Sequence, residues 1–272
     1  MTARPQEKAR AGEPLLAAQG ITKRFGGVVA LDGVSFTIGR GEIYGLIGPN
    51  GAGKTSLFNV LTGIYAPDGG EFTFDGRPLA GLKPNDVAER GIARTFQNIR
   101  LFANLSAIEN VMIGRHVRTR ANVFGAIFRD ARTRAEERAI EKRAQELLDY
   151  VGIGGRANDL AKHLAYGDQR RLEIARALAT DPALITLDEP AAGMNATETA
   201  ALKGLLERIR RDGVTILLIE HDMKLVMSVC DRVLVLDYGR KIAEGPAAAV
   251  QKDEKVIAAY LGGEVTLNLK GA

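Results

Sequence analysis

Residues Gly48-Pro49-Asn50-Gly51-Ala52-Gly53-Lys54-Thr55 set glycines, a lysine and a hydroxyl at the spacing G-x-x-x-x-G-K-[ST]. Such a set binds phosphate. Glycines let neighbouring backbone N–H groups converge on phosphate oxygens. Lys54 supplies a mobile positive charge for the β- and γ-phosphates, and the Thr55 hydroxyl is placed to ligate Mg²⁺. The apolar run Ile43–Ile47 precedes the loop, and Ser56–Leu61 reads as a helix after it. A helix N-terminus adds partial positive charge, so the chain is expected to bind a nucleoside triphosphate. A second set closes the apolar run Leu184–Leu187 with Asp188-Glu189. A carboxylate at a strand end can hold Mg²⁺, usually through water, and that role falls to Asp188. Glu189, one residue further, is placed to polarise the attacking water.

The elements that must position these residues alternate. Apolar strands are expected at Ala183–Leu187, Val214–Ile219 and Val233–Leu236, with a helix at Ala196–Arg211 between the first two. Such alternation indicates parallel crossovers and a sheet covered on both faces. Upstream, Leu15–Ile21, Val34–Ile38 and Glu71–Phe74 read as short strands, with Gly26-Gly27 and Asp32-Gly33 as turns. Gly91–Gln97 reads as a strand running into a loop. Ala107–Val151 is helical in pattern with a break around Asn122–Gly125, and further helices are expected at Leu172–Ala179 and Val256–Leu261. The expected organisation is a disordered tail over 1–13 and an ATPase domain over 14–262. That domain has core segments 14–100 and 166–250 and a helical insertion over about 101–165; a C-terminal helix and tail occupy 251–272.

Composition sets bounds on the whole. The 272 residues are 46% hydrophobic, ample for a large α/β core. The single cysteine, Cys230, excludes an internal disulfide framework and fits a reducing compartment. No stretch approaches the roughly 18–20 apolar residues of a membrane span, and Met1–Glu13 carries no apolar signal segment, so a cytoplasmic location is expected. Net charge is +4. The excess is concentrated: Arg115–Arg143 holds nine Arg/Lys against four Asp/Glu. Such a run suits a solvated helix face, a membrane-proximal surface or a nucleic-acid surface.

Leu164-Ala165-Tyr166-Gly167-Asp168-Gln169-Arg170-Arg171 leads into a helix and resembles the signature motif of ABC-type ATPases, usually L-S-G-G-Q. Gln97 matches that family's Q-loop glutamine, His221 its switch histidine, and Ala192-Gly193-Met194-Asn195 its D-loop. Phe25 sits where an aromatic stacks on adenine. The elements occur in the family's order and span nearly the whole chain, which is identified as a member on that basis. The resemblance implies an α/β P-loop ATPase with a mostly parallel core sheet, an antiparallel β subdomain and an inserted α-helical subdomain. It implies ATP and Mg²⁺ as ligands. Glu189, His221 and Gln97 would act in catalysis, and Thr55, Gln97 and Asp188 at the metal. Nucleotide contacts would come from Phe25, from Gly48 through Ser56 (Pro49, Asn50 and Ala52 included), from Leu164–Asp168 and from Asn195. In this family two chains pair head-to-tail, so a second ATPase chain is implied. Two departures stand out: Ala165 replaces the signature serine and Asn195 the D-loop aspartate. Losing one hydroxyl to phosphate weakens binding by about 1.5–3 kcal/mol if nothing replaces it, so altered affinity rather than inactivity is expected.

Gly91–Phe102, Leu164–Gly167, Ala191–Asn195 and Val256–Gly262 closely resemble the ATPase subunit of bacterial branched-chain amino-acid importers. That branch implies two integral-membrane permease subunits, a periplasmic solute-binding protein acting indirectly, and a place on the cytoplasmic face of the membrane, with no nucleic acid. The alternatives are transport of amides, urea or lipopolysaccharide, a soluble ABC ATPase acting on nucleic acid through the basic region, or an iron–sulfur assembly ATPase. His116 and His163 are assigned no role.

Overall fold

The computed structural model describes residues 13–115 and 131–262. The expected tail before Glu13, the break at Asn122–Gly125, His116, the middle of the basic run and the last ten residues lie outside them. The chain begins with a hairpin, β1 (Leu16–Phe25) and β2 (Val28–Ile38), followed by β3 (Ile43–Ile47) and α1 (Lys54–Leu61). Next come β4 (Gly69–Phe74), β5 (Arg77–Pro78), α2 (Pro84–Arg90), β6 (Ile92–Arg94), α3 (Ala107–Arg115) and α4 (Ala131–Tyr150). The second half runs α5 (Tyr166–Leu178), β7 (Leu184–Asp188), α6 (Ala196–Arg211), β8 (Thr215–Ile219), α7 (Met223–Val229), β9 (Arg232–Asp237), β10 (Arg240–Pro246), α8 (Ala247–Val250) and α9 (Glu254–Gly262).

Two sheets form. One is antiparallel in the order β2-β1-β4-β5; the other runs β10-β9-β3-β8-β7-β6, parallel throughout except at β10. Every residue of β3, β7 and β8 is buried, which is why these strands read as mostly apolar runs. Successive side chains alternate between faces. Ile43 and Ile47 join a core with Leu187, Leu218 and the helices α5 and α6, whereas Tyr44 and Leu46 meet Phe58 of α1 and Phe36 and Phe72 of the antiparallel sheet. Helices α3, α4 and α5 pack together through Val111, Leu147, Leu148 and Leu172. The wholly buried Asn110 ties the chain entering α3 by exchanging hydrogen bonds with Phe102 and donating to Ser106 O.

Asp32-Gly33 is not a turn. It lies inside β2, where the pairing with β1 slips register and Gly33 takes φ +66°. The two residues accommodate a bulge, held by Gly33 N donating to Thr22 Oγ1 at 3.3 Å and by an Asp32–Arg240 ion pair. Helix α2 is too short for its periodicity to register in the sequence; Pro84 starts it, and Lys83 N donates to the Asp86 carboxylate.

Leu218 is fully buried in β8, between β3 and β7. Leu218→Ala should lower unfolding free energy by about 2–5 kcal/mol, read as a reduced denaturation midpoint with an unchanged slope; a shift under about 0.5 kcal/mol would contradict this core assignment.

Candidate active site

The loop Gly48–Gly53 joins the end of β3 to the start of α1. At Gly48 a Cβ would collide with the Leu236 carbonyl oxygen of β9, and at Gly53 one would lie 2.6 Å from Ala30 O. Gly53 also takes φ +100°, so both positions require glycine. Gly239 N donates to Ala52 O at 3.0 Å, fastening the loop to the β9–β10 turn. Gly53 caps α1 without a side-chain hydrogen bond, and the first turn has no acidic residue. An uncapped helix N-terminus free of carboxylates is suited to an anion. Lys54 Nζ donates to Gly48 O and Pro49 O at 2.6 and 2.9 Å, curling over the loop. Burial pulls its ammonium below the ordinary value, with Glu189 and Asp188 opposing. Thr55 is exposed on the same turn.

Parallel β7 and β8 bring the catalytic candidates to the same edge. Glu189 leaves β7 with φ +48° and its N–H donates to Ile219 O of β8 at 2.9 Å. Gln97 Nε2 donates to Glu189 Oε2 at 3.0 Å, and His221 Nδ1 lies 3.7 Å from that same oxygen. Asp188 is 5% exposed. Burial raises its carboxyl above the ordinary value, with Arg94 and Lys54 opposing. A buried carboxylate at a strand end beside the loop fits a divalent cation.

The signature residues lie elsewhere. Tyr166 accepts hydrogen bonds from Arg170 and its ring sits against Gly193, while a Cβ on Gly167 would fall 2.8 Å from Glu198 Oε1. Among the described residues no hydrogen bond or ion pair joins Leu164–Asp168 to the phosphate loop. Asn195 caps α6, accepting from Glu198 N at 3.0 Å, and Glu198 accepts in return from Asn195 N at 2.9 Å. This capping box uses Asn as well as it would Asp, which gives a structural reason for Asn at that position. Phe25 is 42% exposed, edge-on to Tyr65 with centroids 5.1 Å apart.

Sequence reading missed the charges that hold Gln97 in place. Arg170, on α5, donates to Phe96 O at 2.9 Å and Gln97 O at 2.5 Å. Glu173, 1% exposed, accepts from Phe96 N and Arg100 N and lies 3.7 and 3.8 Å from Arg170 and Arg176. Arg94 stacks over Phe58 and Phe96, donates to Thr62 Oγ1, and stands 4.0 Å from Asp188. Burial pushes Arg94 down to about 10. The bonds from α5 to Phe96, Gln97 and Arg100 join residues 73 to 77 positions apart, so local patterns do not announce them. Beside this cluster a cavity of about 420 Å³ opens between the helices and the core, lined by Arg94, Phe96, Arg100, Phe102, Ile113 and Arg176 among others.

A glycine-rich loop on a central parallel strand, with a carboxylate pair two strands over and a glutamine and histidine on the outer carboxylate, defines a P-loop nucleoside triphosphatase. The sequence matches the family described as "ABC transporter" over residues 31–192 and that described as "Branched-chain amino acid ATP-binding cassette transporter" over 240–266. The chain belongs to the ABC transporter ATP-binding family. It is 46% identical over 252 residues to the high-affinity branched-chain amino acid transport ATP-binding protein LivG of Salmonella typhimurium, covering 92% of this chain and 98% of that one. Its fold matches the ADP conformation of MJ1267, an ATP-binding cassette of an ABC transporter, at TM-score 0.80 and 31% identity, covering 92% and 99% of the two chains. The dimeric structure of MJ0796, a bacterial ABC transporter cassette, matches at TM-score 0.73 and 26% identity, covering 85% and 98%.

Burial holds the Asp188 carboxyl above its ordinary 3.8. Stability tied to its neutral form is therefore fully present below that value and lost as pH rises through the folded one. Asp188→Asn stays neutral. Without nucleotide it should gain stability relative to the unaltered chain between about pH 3 and pH 7, measured by denaturation at each pH; a constant difference would contradict the burial argument.

Proposed function

We propose that this chain is the ATP-hydrolysing subunit of a bacterial ABC importer for branched-chain amino acids, driving two membrane permease subunits. The observation that carries the reading is the Gln97–Glu189–His221 convergence beside the phosphate loop, in a chain whose relative is named for that transport. ATP is the substrate. Backbone N–H groups between Gly48 and Ser56, Pro49 excepted, hold its phosphates, Lys54 neutralises the β- and γ-oxygens, and Phe25 stacks on the base. Thr55, Asp188 and Gln97 would hold Mg²⁺, which when bound offsets charge on the phosphates. Glu189 accepts a proton from the attacking water, while Gln97 and His221 orient its carboxylate.

The site is completed by a second ATPase chain, whose own Leu164–Asp168 segment and Asn195 face the γ-phosphate across the pair. Within this chain the segments 14–100 and 166–250 serve as the ATP-binding core, and about 101–165 as the helical subdomain. The 420 Å³ cavity between them is suited to a cytoplasmic segment of a permease. Its rim carries Arg100, Arg176 and a half-exposed Phe102. The chain works at the cytoplasmic face of the membrane, binds no nucleic acid, and meets a periplasmic solute-binding protein only through the permeases. Among the described residues no helix is long and apolar enough to cross a membrane.

Lys54→Ala should lower ATP turnover by about a hundredfold or more; turnover within twofold of the unaltered chain would contradict the phosphate-loop assignment. Tagged Glu189→Gln, recovered from native membranes in ATP and Mg²⁺, should carry two polytopic membrane proteins. Recovery with soluble protein or nucleic acid alone would overturn the transport reading.

A further inference from the structure

Three buried side-chain polar atoms among the described residues lack a hydrogen-bond partner: Arg94 Nε, Tyr260 Oη and Glu220 Oε2. Such atoms are rare in native proteins and call for a reason. Glu220 follows β8 directly, stands immediately before His221 and is 1% exposed. Its other oxygen, Oε1, accepts the Ala191 N–H at 2.8 Å. Ala191 stands two residues beyond Glu189, in the turn that leads to the D-loop.

That turn is unusual backbone. Glu189 takes φ +48°, a left-handed conformation unfavourable for a residue with a Cβ, and one that persists only when its surroundings over-determine it. The surroundings here are two fastenings, one to the last residue of β8 and one to the residue after it. Glu189 N donates to Ile219 O, and Ala191 N donates to the Glu220 side chain. Two further bonds close the turn on itself, Ala192 N to Glu189 O and Met194 N to Ala191 O. Of the four, only the Glu220 bond comes from a side chain, and its backbone continues directly into His221. Burial raises the Glu220 carboxyl above its ordinary value, with the Ala191 and His221 amides and the His221 charge opposing and Glu189 adding to the rise. Burying an acid is a costly way to cap a turn, which favours a role in the site.

We propose that Glu220 is a positioning residue for hydrolysis: by accepting the Ala191 amide it fixes the turn that aims the Glu189 carboxylate at the attacking water and at His221. The inference rests on the reading of Glu189 as the base. Its effect falls on kcat, because the phosphate loop and its lysine make no hydrogen bond or ion pair to Glu220.

The test compares Glu220→Met, similar in length but without an acceptor for the amide, with Glu220→Gln, which keeps one. Both are measured in the full chain, as the assembled ATPase, for kcat, KM and ATP affinity. Glu220→Met should lose about tenfold or more in kcat with ATP affinity within twofold of the unaltered chain, and Glu220→Gln should restore kcat to within about threefold. Full kcat in Glu220→Met, equal loss of affinity and kcat, or a Gln variant as slow as the Met variant would each overturn the proposal. Glu189→Gln is measured beside them. If it hydrolyses ATP normally, the reading of Glu189 fails. If it is inactive while Glu220→Met is unimpaired, only the Glu220 inference fails. Amide exchange at Ala191 in the unaltered protein requires no variant to fold: protection agrees with the hydrogen bond, and exchange at the rate of an unstructured amide overturns it.

Discussion

Parallel pairing of β3, β8, β7 and β6 puts the carboxyl ends of all four strands on one edge, and the site depends on that constraint. The phosphate loop leaves β3, Asp188 closes β7, and Glu189 follows it. Glu220 and His221 leave β8, and Gln97 comes three residues after β6. Ligands of open α/β sheets bind beyond these strand ends. The register is strict because every side chain of the three central strands is buried on one face or the other. A slip of one residue would exchange the two faces. The same pairing sets Ile219 beside Asp188, bringing the two turns that carry Glu189 and His221 together.

A second constraint acts from outside the sheet. The segment after β6 has little regular structure, yet Gln97 is held within hydrogen-bond distance of Glu189. The buried Arg170–Glu173–Arg176 group of α5 fastens it at Phe96, Gln97 and Arg100. Buried ion pairs contribute little net stability, but breaking one leaves an uncompensated charge. Their evident consequence here is geometric. Helix α5 starts with the signature residues, so its carboxyl-terminal charges and its amino-terminal turn belong to one rigid piece. The same helix thus fastens the glutamine loop beside the cavity lined by Arg94, Arg100 and Arg176.

Much of this was legible in the sequence, for identifiable reasons. The phosphate loop is contiguous, so its spacing is visible in one line of text. The central strands show because burial on both faces makes them mostly apolar. The long hairpin strands were under-read because a bulge at Asp32-Gly33 looks like a turn when only residue types are considered. Helix α2 was missed because seven residues give too few periods. Arg94, Arg170, Glu173 and Glu220 were not singled out, since each acts through partners distant in sequence and a lone charge reads as surface. Asn195 was noticed as a departure, and the capping box explains its tolerance at that position.

The phosphate loop and the signature segment of one chain share no hydrogen bond or ion pair among the described residues. On the proposed function a second chain completes the site, each lending its signature turn to the other's nucleotide. The most direct test is the solution mass of Glu189→Gln by light scattering, with Mg²⁺ and either ATP or ADP. Twice the monomer mass is expected with ATP and monomer mass with ADP. Monomer mass with both nucleotides, at concentrations that saturate binding, would contradict it.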